Sequence, residues 1–405
     1  MTDLNRSGPT AIDLFSGAGG ITLGLLQAGF DVRLCADIAR ACALTHSRNF
    51  PRITFLNRDI GELGGRDLLQ HSGLKRRQLD LLIGGPPCQG FSILGRREID
   101  DPRNGLFGQF LRLAFELQPK AIVIENVPGL ATLNGGAILK EIGQAFAAAG
   151  YRADCAELLA SQYGVPQMRW RMFFIAWRGD LGIASGGFPP PTHGRRGIGD
   201  LVPNHTISPE DMRGFLTIAD AISDLPAIGS GGYSSVYDRK PRNGYQRTMR
   251  AGLRTELYNH YAPKLSPQNL RRIEHLGPGE DWRNLPRHLL PLGMQRALRK
   301  DHTRRYRRMT WDGVARSIIT RFRDPKSGEY IHPDQARTIS IREAARIQSF
   351  PDWFEFMGTY SSQYDQVGNA VPPLLARAVA AEIAGVLNGA VRGDGPVKSR
   401  YKIVA

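Results

Sequence analysis

The feature that most constrains the fold is the alternation of short apolar runs with amphipathic stretches over the first 180 residues. Segments between the runs, such as FGQFLRLAFELQ and AILKEIGQAFAAAG, have helical periodicity. Strands that alternate with helices form a mostly parallel sheet covered on both faces. We therefore predict an α/β, doubly wound, mostly parallel sheet that binds ligands at the carboxyl ends of its strands. The predicted strands are Thr10 to Leu14, Asp31 to Ala36, Ile53 to Leu56, Leu79 to Ile83, Ala121 to Glu125, Ala153 to Leu158 and Met172 to Trp177.

The pattern changes near residue 181. Glycine, proline and arginine become frequent, as in SGGFPPPTHGRRG and HLGPGEDWRNLP, and the apolar periodicity weakens. This composition predicts a second, smaller region of loops and short elements. Regular structure returns near the end, where SIREAARIQSF and PPLLARAVAAEIAGVL each predict a helix, the second opened by prolines in tolerated first-turn positions.

Charge and cysteine content narrow the classes of partner. The formal net charge is +15, and residues 181–310 carry +10 of it, which favours a nucleic acid as the partner of the second region. The four cysteines show no CxxC spacing, so neither a metal site nor a disulfide framework is expected. No run reaches the ~18 apolar residues of a membrane span, and MTDLNRSGPT lacks a signal-peptide layout. We expect a soluble intracellular protein without a membrane partner.

The first candidate site is DLFSGAGG, residues 13–20, which follows a strand and opens a helix. Glycines at such a turn let the backbone approach a ligand closely, although they also serve purely structural tight turns. Asp37 and Asp59 follow the next two predicted strands, where carboxylates can bind a ribose and an adenine. Three such positions at successive strand ends favour a nucleotide-like cofactor.

The second candidate site is GGPPCQGFS, residues 84–92. The diproline restricts the backbone, so Cys88 is expected on a rigid loop at the end of a strand. A thiolate held there is a strong nucleophile for a soft carbon electrophile. The other cysteines lie inside apolar runs and are expected to be buried small hydrophobes; they are Cys35, Cys42 and Cys155.

Two further segments bring polar residues to the same predicted edge. Glu125 of ENV ends a buried apolar strand, where an unpaired carboxylate is costly unless it works at a site. In QMRWR, alternation puts Gln167, Arg169 and Arg171 on one side, although arginines in such a segment can equally form surface ion pairs. A thiol, a carboxyl group, an arginine and a nucleotide-like cofactor beside a basic region fit one-carbon transfer to a nucleic-acid base.

Taken together, the motifs resemble the ordered set of the DNA (cytosine-5) methyltransferases of the bacterial restriction-modification type. The resemblance rests on DLFSGAGG, GGPPCQGFS, ENV, QMRWR, RTISIREAARIQSFPD and QVGNAVPP, and it spans residues 11 to about 388. It implies a Rossmann-like class I S-adenosylmethionine-dependent fold. The implied domains are a catalytic and cofactor-binding domain over 1–180, to which 335–390 returns, a target-recognition domain over 181–334, and a tail over 390–405.

The resemblance also implies the catalytic roles. Cys88 would add to carbon 6 of cytosine, and carbon 5 would then take a methyl group from S-adenosylmethionine. Glu125 would hold or protonate N3. Arg171 would contact O2, and Arg169, grouped with the catalytic residues, would support the loop. The base that removes the carbon-5 proton is not identified.

The cofactor site follows from the same motifs. The resemblance makes Phe15 an adenine-stacking ring, Asp37 a ribose ligand and Asp59 a ligand of the adenine amine. Ile38 would pack on the adenine, and Pro86 would line the cleft. Close backbone approach is implied for Gly17, Gly19 and Gly20, and contact with the methionine end for Asn369 and Val371.

The implied partner is double-stranded DNA. The reacting carbon is inaccessible inside a duplex, so the cytosine must be flipped out. The loop after Cys88 could close over the base, and an arginine cluster in the second region is better suited to phosphate than to base contact. The expected DNA-binding residues are Gln89, Ser92, Arg96, Arg97, Arg304, Arg305, Arg307 and Arg308.

Three alternatives stay open at this point. A tRNA cytosine-5 methyltransferase shares the core motifs, but its characteristic CFT segment is not found, and the basic insert is long. A catalytically silent DNA-binding paralogue would be expected to lose Cys88 or Glu125. A nicotinamide-dependent oxidoreductase would need GxGxxG. We favour a monomeric DNA methyltransferase in the bacterial cytoplasm, associated with the nucleoid through DNA and part of a restriction-modification system or solitary.

Overall fold

The structure, a computed structural model, describes residues 8–87, 105–183, 188–194, 212–252, 256–295 and 304–389. The chain divides into two compact units. Unit 1 consists of Met1–Gly164, Trp170–Gly214 and Val371–Ala405, and unit 2 consists of Val165–Arg169 and Phe215–Ala370. The functional domain boundaries at residues 180 and 334 stay a prediction, because compactness does not measure which region binds DNA.

Unit 1 is built on a seven-stranded sheet. Its strands are β1 (Thr10–Leu14), β2 (Asp31–Ala36), β3 (Thr54–Leu56), β4 (Leu81–Gly84), β5 (Ala121–Asn126), β6 (Tyr151–Leu159) and β8 (Trp170–Arg178), while β7 (Gln167–Met168) belongs to unit 2. The order is β3-β2-β1-β4-β5-β8-β6. The first five strands are parallel, and β8 runs antiparallel to both β5 and β6. This confirms the predicted mostly parallel α/β sheet.

The helices of unit 1 follow the strands in sequence. They are α1 (Gly20–Gln27), α2 (Arg40–Asn49), α3 (Gly65–Ser72), α4 (Gly105–Leu117), α5 (Ala137–Ala148) and, from the end of the chain, α12 (Pro373–Leu387). Two short strands, β9 (His193–Gly194) and β10 (Arg213–Gly214), also belong to this unit. Helix α12 packs against α1 so closely that a Cβ on Gly24 would lie 2.5 Å from the Cβ of Ala376.

Strand boundaries differ from the predictions by a few residues. Strand β4 begins at Leu81 rather than at residue 79. The preceding Asp80 instead accepts hydrogen bonds from the backbone nitrogen and hydroxyl of Thr10, at 2.7 and 2.9 Å. A side chain bonded to the neighbouring strand in this way competes with regular ladder pairing.

Unit 2 consists of short elements joined by long connections, as the loss of periodicity predicted. These are α6 (Ile218–Ile222), α7 (Gly244–Arg250), α8 (Pro267–Glu274), α9 (Leu292–Gln295), β11 (Ala315–Arg316), α10 (Ile341–Ile347) and α11 (Tyr360–Asn369). Buried ion pairs accompany its small apolar core. Arg346 pairs with Asp224 at 3.0 Å and with Asp352 at 2.5 Å, and all three are buried. Such charges tolerate burial because each is paired and hydrogen-bonded.

The described residues also bear on cysteine chemistry, metals and membranes. Cys35, Cys42 and Cys155 are buried, as predicted. Burial, with the nearby charge of Asp37, raises the pKa of Cys42 to about 12.

No group of three or more metal-ligating side chains occurs among the described residues. Within the same ranges no single helix is long and apolar enough to cross a membrane, although α11 and α12 pass a test of length and composition as a bent pair.

Candidate active site

The candidate site lies where the strand order of the sheet reverses. From β1, the sheet continues through β2 and β3 in one direction and through β4 and β5 in the other. The carboxyl ends of β1 and β4 flank this reversal, and ligands of open α/β sheets bind outside it. DLFSGAGG leaves β1, and the segment that begins GGPP leaves β4, so the two strongest sequence motifs meet there.

The glycine turn after β1 adopts a backbone that few side chains permit. Phe15 and Gly17 have positive φ angles of 56° and 53°. The backbone nitrogen of Gly17 donates to the Asp37 carboxylate at 2.9 Å, which ties this turn to the end of β2. A Cβ on Gly17 would meet nothing within 4 Å, whereas one on Gly19 would lie 2.6 Å from the Phe50 ring. The turn is therefore tightly packed at Gly19 and open at Gly17.

The residues that follow β2 and β3 lie next to the glycine turn on the same edge of the sheet. Asp37 also accepts from the backbone nitrogen of Ala39, at 2.8 Å. The next residue, Ile38, is 67% exposed, which is unusual for a large apolar side chain and suits a platform for a flat ring. Asn57, which the sequence did not single out, donates to the carbonyls of residues 37 and 38, at 2.9 Å each. Asp59 caps the following turn by accepting from Gly61 at 2.8 Å.

A buried carboxyl group lies beneath the glycine turn. Asp13 is fully buried, and its Oδ2 accepts from the Thr22 hydroxyl at 2.6 Å. Its Oδ1 has no hydrogen-bond partner among the described residues. Burial, reinforced by the charge of Asp37 and opposed by the Thr22 hydrogen bond, raises the pKa of Asp13 to about 7. The protonation state of this carboxyl group therefore changes near neutral pH.

An ion pair occupies the carboxyl end of β5. The Arg171 Nε lies 2.7 Å from Glu125 Oε1, and the two side chains are only 13% and 11% exposed. The pair forms because β5 and β8 are antiparallel neighbours, with Glu125 opposite Phe173. Arg171 also donates to the carbonyl of Trp170, at 2.7 Å. Partial burial reduces the screening of this pair by solvent and salt.

A hydrogen bond from the residue after Glu125 holds the segment that follows β4. Asn126 donates to the carbonyl of Pro86 at 2.9 Å, and both residues are buried. A Cβ on Gly85 would lie 2.9 Å from Glu125 Oε2, so only glycine leaves the carboxylate in place. The sequence analysis missed both roles, although an amide at the end of an apolar strand could have signalled the first. Cys88 itself lies outside the described residues.

The QMRWR segment divides between the two units. Gln167 belongs to unit 2, where its side chain bonds to Gln348 at 3.0 Å and accepts from the nitrogen of Ile318 at 2.7 Å. Arg169 also belongs to unit 2 and is buried. It donates to the carbonyls of Ile318 and Gly368, at 2.6 and 3.0 Å. Arg169 therefore holds the backbone of unit 2 together.

The remaining residues predicted to bind the cofactor differ in burial and in the unit to which they belong. Gly20 is buried at the start of α1, and Val371 is buried in unit 1. Asn369 is exposed at the last position of α11 in unit 2. Four of the residues predicted to contact DNA lie outside the described ranges, namely Gln89, Ser92, Arg96 and Arg97.

The arginine cluster of unit 2 is only partly available to a partner. Arg304 lies 3.2 Å from Glu329, and Arg307 lies 3.3 Å from the same carboxylate. Arg305 is exposed and makes no ion pair with any residue in the described part of the chain. Arg308 is buried, and its guanidinium donates to five main-chain carbonyls. The expectation that Arg308 contacts DNA is therefore not supported, because its donors are already used inside unit 2.

Comparison with known proteins identifies the family. The family model described as C-5 cytosine-specific DNA methylase matches residues 10–385, nearly the whole chain. The chain belongs to this family. The methylase is therefore a DNA cytosine-5 methyltransferase with S-adenosylmethionine as its methyl donor, which confirms the predicted activity and cofactor.

Individual relatives agree with this assignment. The type II methyltransferase M.AgeI of Thalassovita gelatinovora is 33% identical over 92% of the methylase and 98% of its own length. The type II methyltransferase M1.HphI of Haemophilus parahaemolyticus is 36% identical over 92% and 85%. A solved structure of a proposed DNA modification methyltransferase encoded within an E. coli prophage has a TM-score of 0.70 and 27% identity, covering 94% and 99% of the two chains. Dnmt2 of S. pombe, at 16% identity, TM-score 0.57 and coverage of 94% and 99%, shares the fold.

Proposed function

We propose that Cys88, Glu125 and Arg171 carry out methyl transfer on a cytosine flipped out of duplex DNA. The observation that carries this proposal is the Glu125–Arg171 ion pair at 2.7 Å. It lies beside the Gly85–Pro86 backbone, two residues before Cys88. A carboxyl group and a guanidinium on one edge match the N3 and O2 atoms of cytosine, which need a proton or a hydrogen-bond donor as negative charge develops on the ring.

In the proposed mechanism the Cys88 thiolate forms a bond to C6, and the electron pair of the C5–C6 double bond becomes available at C5. Glu125 takes up a proton from solvent and shares it with N3, while Arg171 donates to O2, so the negative charge that develops on the ring is neutralised. When bound, S-adenosylmethionine would supply the electrophilic methyl group to C5, and its sulfonium would leave as a neutral thioether when the methyl–sulfur bond breaks. A base then removes the C5 proton, the S–C6 bond breaks, and the thiolate is restored.

The walls of the glycine turn fit the methyl donor. The open space above Gly17 permits close backbone approach, and exposed Ile38 offers an apolar surface for the adenine. Phe15 would stack on the same ring, and Asp37 would hold the ribose while it keeps the turn in place. Asp59 would reach the adenine amine, and Pro86 would line the cleft. We propose the same site for Gly19, Gly20, Asn369 and Val371.

We further propose a partner and a setting. The residues after Cys88, which lie outside the described ranges, are proposed to cover the flipped base, and Arg304, Arg305 and Arg307 would add phosphate contacts in a target-recognition domain over 181–334. We propose that the protein serves a restriction-modification system in a bacterial cytoplasm, and the type II names of its relatives support this proposal. We expect a monomer, since one chain carries both the proposed site and the basic region.

Covalent trapping tests the proposed nucleophile. A duplex in which 5-fluorocytosine replaces cytosine cannot lose a proton from C5, so the Cys88 adduct should persist in the presence of S-adenosylmethionine. Wild-type protein should form a denaturation-resistant complex with this duplex, and Cys88→Ser should form none. The matched control is Cys42→Ser, which removes a buried thiol elsewhere in the unit. A complex that survives Cys88→Ser would assign the nucleophile to another residue.

A further inference from the structure

Exposed apolar and cationic side chains lie within residues 233–247 of unit 2. Five of them, which we call the basic strip, are Tyr233, Val236, Lys240, Arg242 and Arg247. Tyr233 is 79% exposed and Val236 70% exposed, unusual values for large apolar side chains. Aromatic and apolar groups beside unneutralised cations are typical of surfaces that bind nucleic acid.

The cations of the basic strip differ from those of the Arg304–Arg308 cluster. Within the described part of the chain, Lys240, Arg242 and Arg247 make no ion pair, whereas Arg304 and Arg307 share the carboxylate of Glu329. A paired arginine must give up its carboxylate before it can bind a phosphate at full strength, but an unpaired one only releases counterions from the DNA. The one carboxylate within residues 233–247, that of Asp238, lies 3.8 Å from Arg239 and makes no ion pair with the three cations.

Contacts of Tyr237 and Arg250 stabilise the segment that carries the strip. The Arg250 guanidinium lies 3.5 Å above the Tyr237 ring and 2.6 Å from the buried carboxylate of Asp224. Arg250 also donates to the carbonyl of Arg239 at 2.8 Å, and the Tyr237 hydroxyl donates to Asp352. These contacts fix both ends of residues 237–250, the segment that carries the three cations. A surface that is already ordered loses less conformational entropy when it binds.

Tyr233, in the apolar part of the strip, is bridged by its backbone to a segment whose tyrosine stacks on a second tyrosine. Tyr233 pairs through its backbone with Tyr261, whose ring stacks on that of Tyr360 at 4.3 Å between centroids. Tyr360 is 57% exposed. Exposed aromatic side chains therefore lie on contacting segments of unit 2, where they can pack on sugars or bases while the cations bind phosphates.

We infer that the basic strip binds the backbone of the duplex DNA that carries the target cytosine, with Lys240, Arg242 and Arg247 on phosphates and Tyr233 and Val236 against the sugars. This inference rests on the proposed function only in taking DNA as the substrate. It assigns the main phosphate contact of unit 2 to residues 233–247, in addition to the contacts proposed for the arginine cluster.

The salt dependence of binding tests the inference. We would compare wild type with a triple variant, Lys240→Ala/Arg242→Ala/Arg247→Ala, using a fluorescent mixed-sequence duplex over a range of salt concentrations. A matched control is Arg66→Ala/Lys75→Ala/Lys140→Ala, which removes three exposed cations from unit 1. Each lost phosphate contact lowers the slope of log affinity against log salt by about 0.9, so the strip variant should lose about 2 to 3 and the control close to none.

The outcomes separate the strip from the proposed activity. Equal slopes for wild type and the strip variant would overturn the inference, and so would equal losses in the strip variant and the control. A lower slope confined to the strip variant supports it, even if the wild-type protein transferred no methyl group to DNA, since binding and transfer are measured separately. S-adenosylmethionine binding should be unchanged in the strip variant and shows that unit 1 is intact.

Discussion

Among single residues, Glu125 and the arginine that faces it carry the chemistry proposed for the cytosine ring. We predict that Glu125→Gln lowers kcat for methyl transfer by at least about 100-fold, because an amide cannot deliver a proton to N3 and no longer pairs with Arg171. Binding of S-adenosylmethionine should be retained. The measurement is single-turnover methyl transfer on a duplex substrate, together with cofactor titration.

The control for this variant is Glu62→Gln, which makes the same chemical change at a side chain that is 67% exposed. Its rate should match that of wild type. Comparable losses in both variants would mean that Glu125 has no special role in the reaction.

Asp13 gives a prediction about pH. Its pKa is raised from 3.8 to about 7, so the folded state holds this proton more tightly than the unfolded chain. The associated stability is fully present below about pH 4 and is lost as pH rises through 7. Asp13→Asn, which stays neutral, should therefore gain free energy of unfolding relative to wild type as pH rises, by up to about 4 kcal/mol above pH 8.

Denaturant unfolding of wild type and Asp13→Asn at several pH values measures this difference. The predicted curve rises between pH 4 and 7 and then levels off. A difference that does not change with pH would show that Asp13 is not the titrating group.

At the scale of elements, the close approach of β4 and β5 at their ends predicts the effect of a single methyl group. In Gly85→Ala the new Cβ would lie 2.9 Å from Glu125 Oε2 and would push the flexible end of that side chain aside. Because a misplacement of about 1 Å can cost on the order of 100-fold in rate, kcat should fall strongly while thermal stability changes little.

Gly129→Ala is the matched control, because a Cβ there would meet nothing within 4 Å. It should keep wild-type kinetics. If Gly85→Ala were equally active, the carboxylate position seen in this structure would not be the one used in the reaction.

The contact between α1 and α12 makes a prediction about folding. A Cβ on Gly24 would lie 2.5 Å from the Cβ of Ala376 and 2.7 Å from the nitrogen of Arg377. Gly24→Ala should therefore lower the free energy of unfolding by about 1–3 kcal/mol, because the two helices must separate. By contrast, Gly108→Ala in α4 has open space and should raise it by about 0.5–1 kcal/mol. Urea titrations of both variants measure the two effects, and destabilisation by Gly108→Ala alone would contradict this packing.

At the scale of the whole molecule, the sequence predicted unit 1 far better than unit 2. Most strands of the sheet contain short apolar runs, such as LLIG in β4 and AIVIEN in β5, so period and composition were sufficient to find them. The run RRYRR misled because all its arginines look alike in sequence. In the structure, Tyr306 and Arg308 are buried while Arg305 is exposed, an alternation that depends on neighbours distant in the chain.

In the candidate site, too, the sequence predicted some features and missed others. The sequence identified Glu125 from its position at the end of a strand and Arg171 from the alternation in QMRWR and the family resemblance, and the structure joins them in one ion pair. The tie from Asn126 to Pro86 was not predictable from spacing, because it depends on the register of two neighbouring strands. The basic strip was missed because its cations are distinguished only by the absence of nearby carboxylates in the described structure.

The most direct test of the central claim is methyl transfer from labelled S-adenosylmethionine, followed by nucleoside analysis of the product. Wild type and Cys88→Ser would each be incubated with a mixed-sequence duplex and with tRNA. We predict that wild type labels carbon 5 of cytosine in the duplex at one recurring short sequence, that tRNA stays unlabelled, and that Cys88→Ser labels neither. Label on tRNA alone, or transfer to duplex DNA that survives Cys88→Ser, would contradict this account.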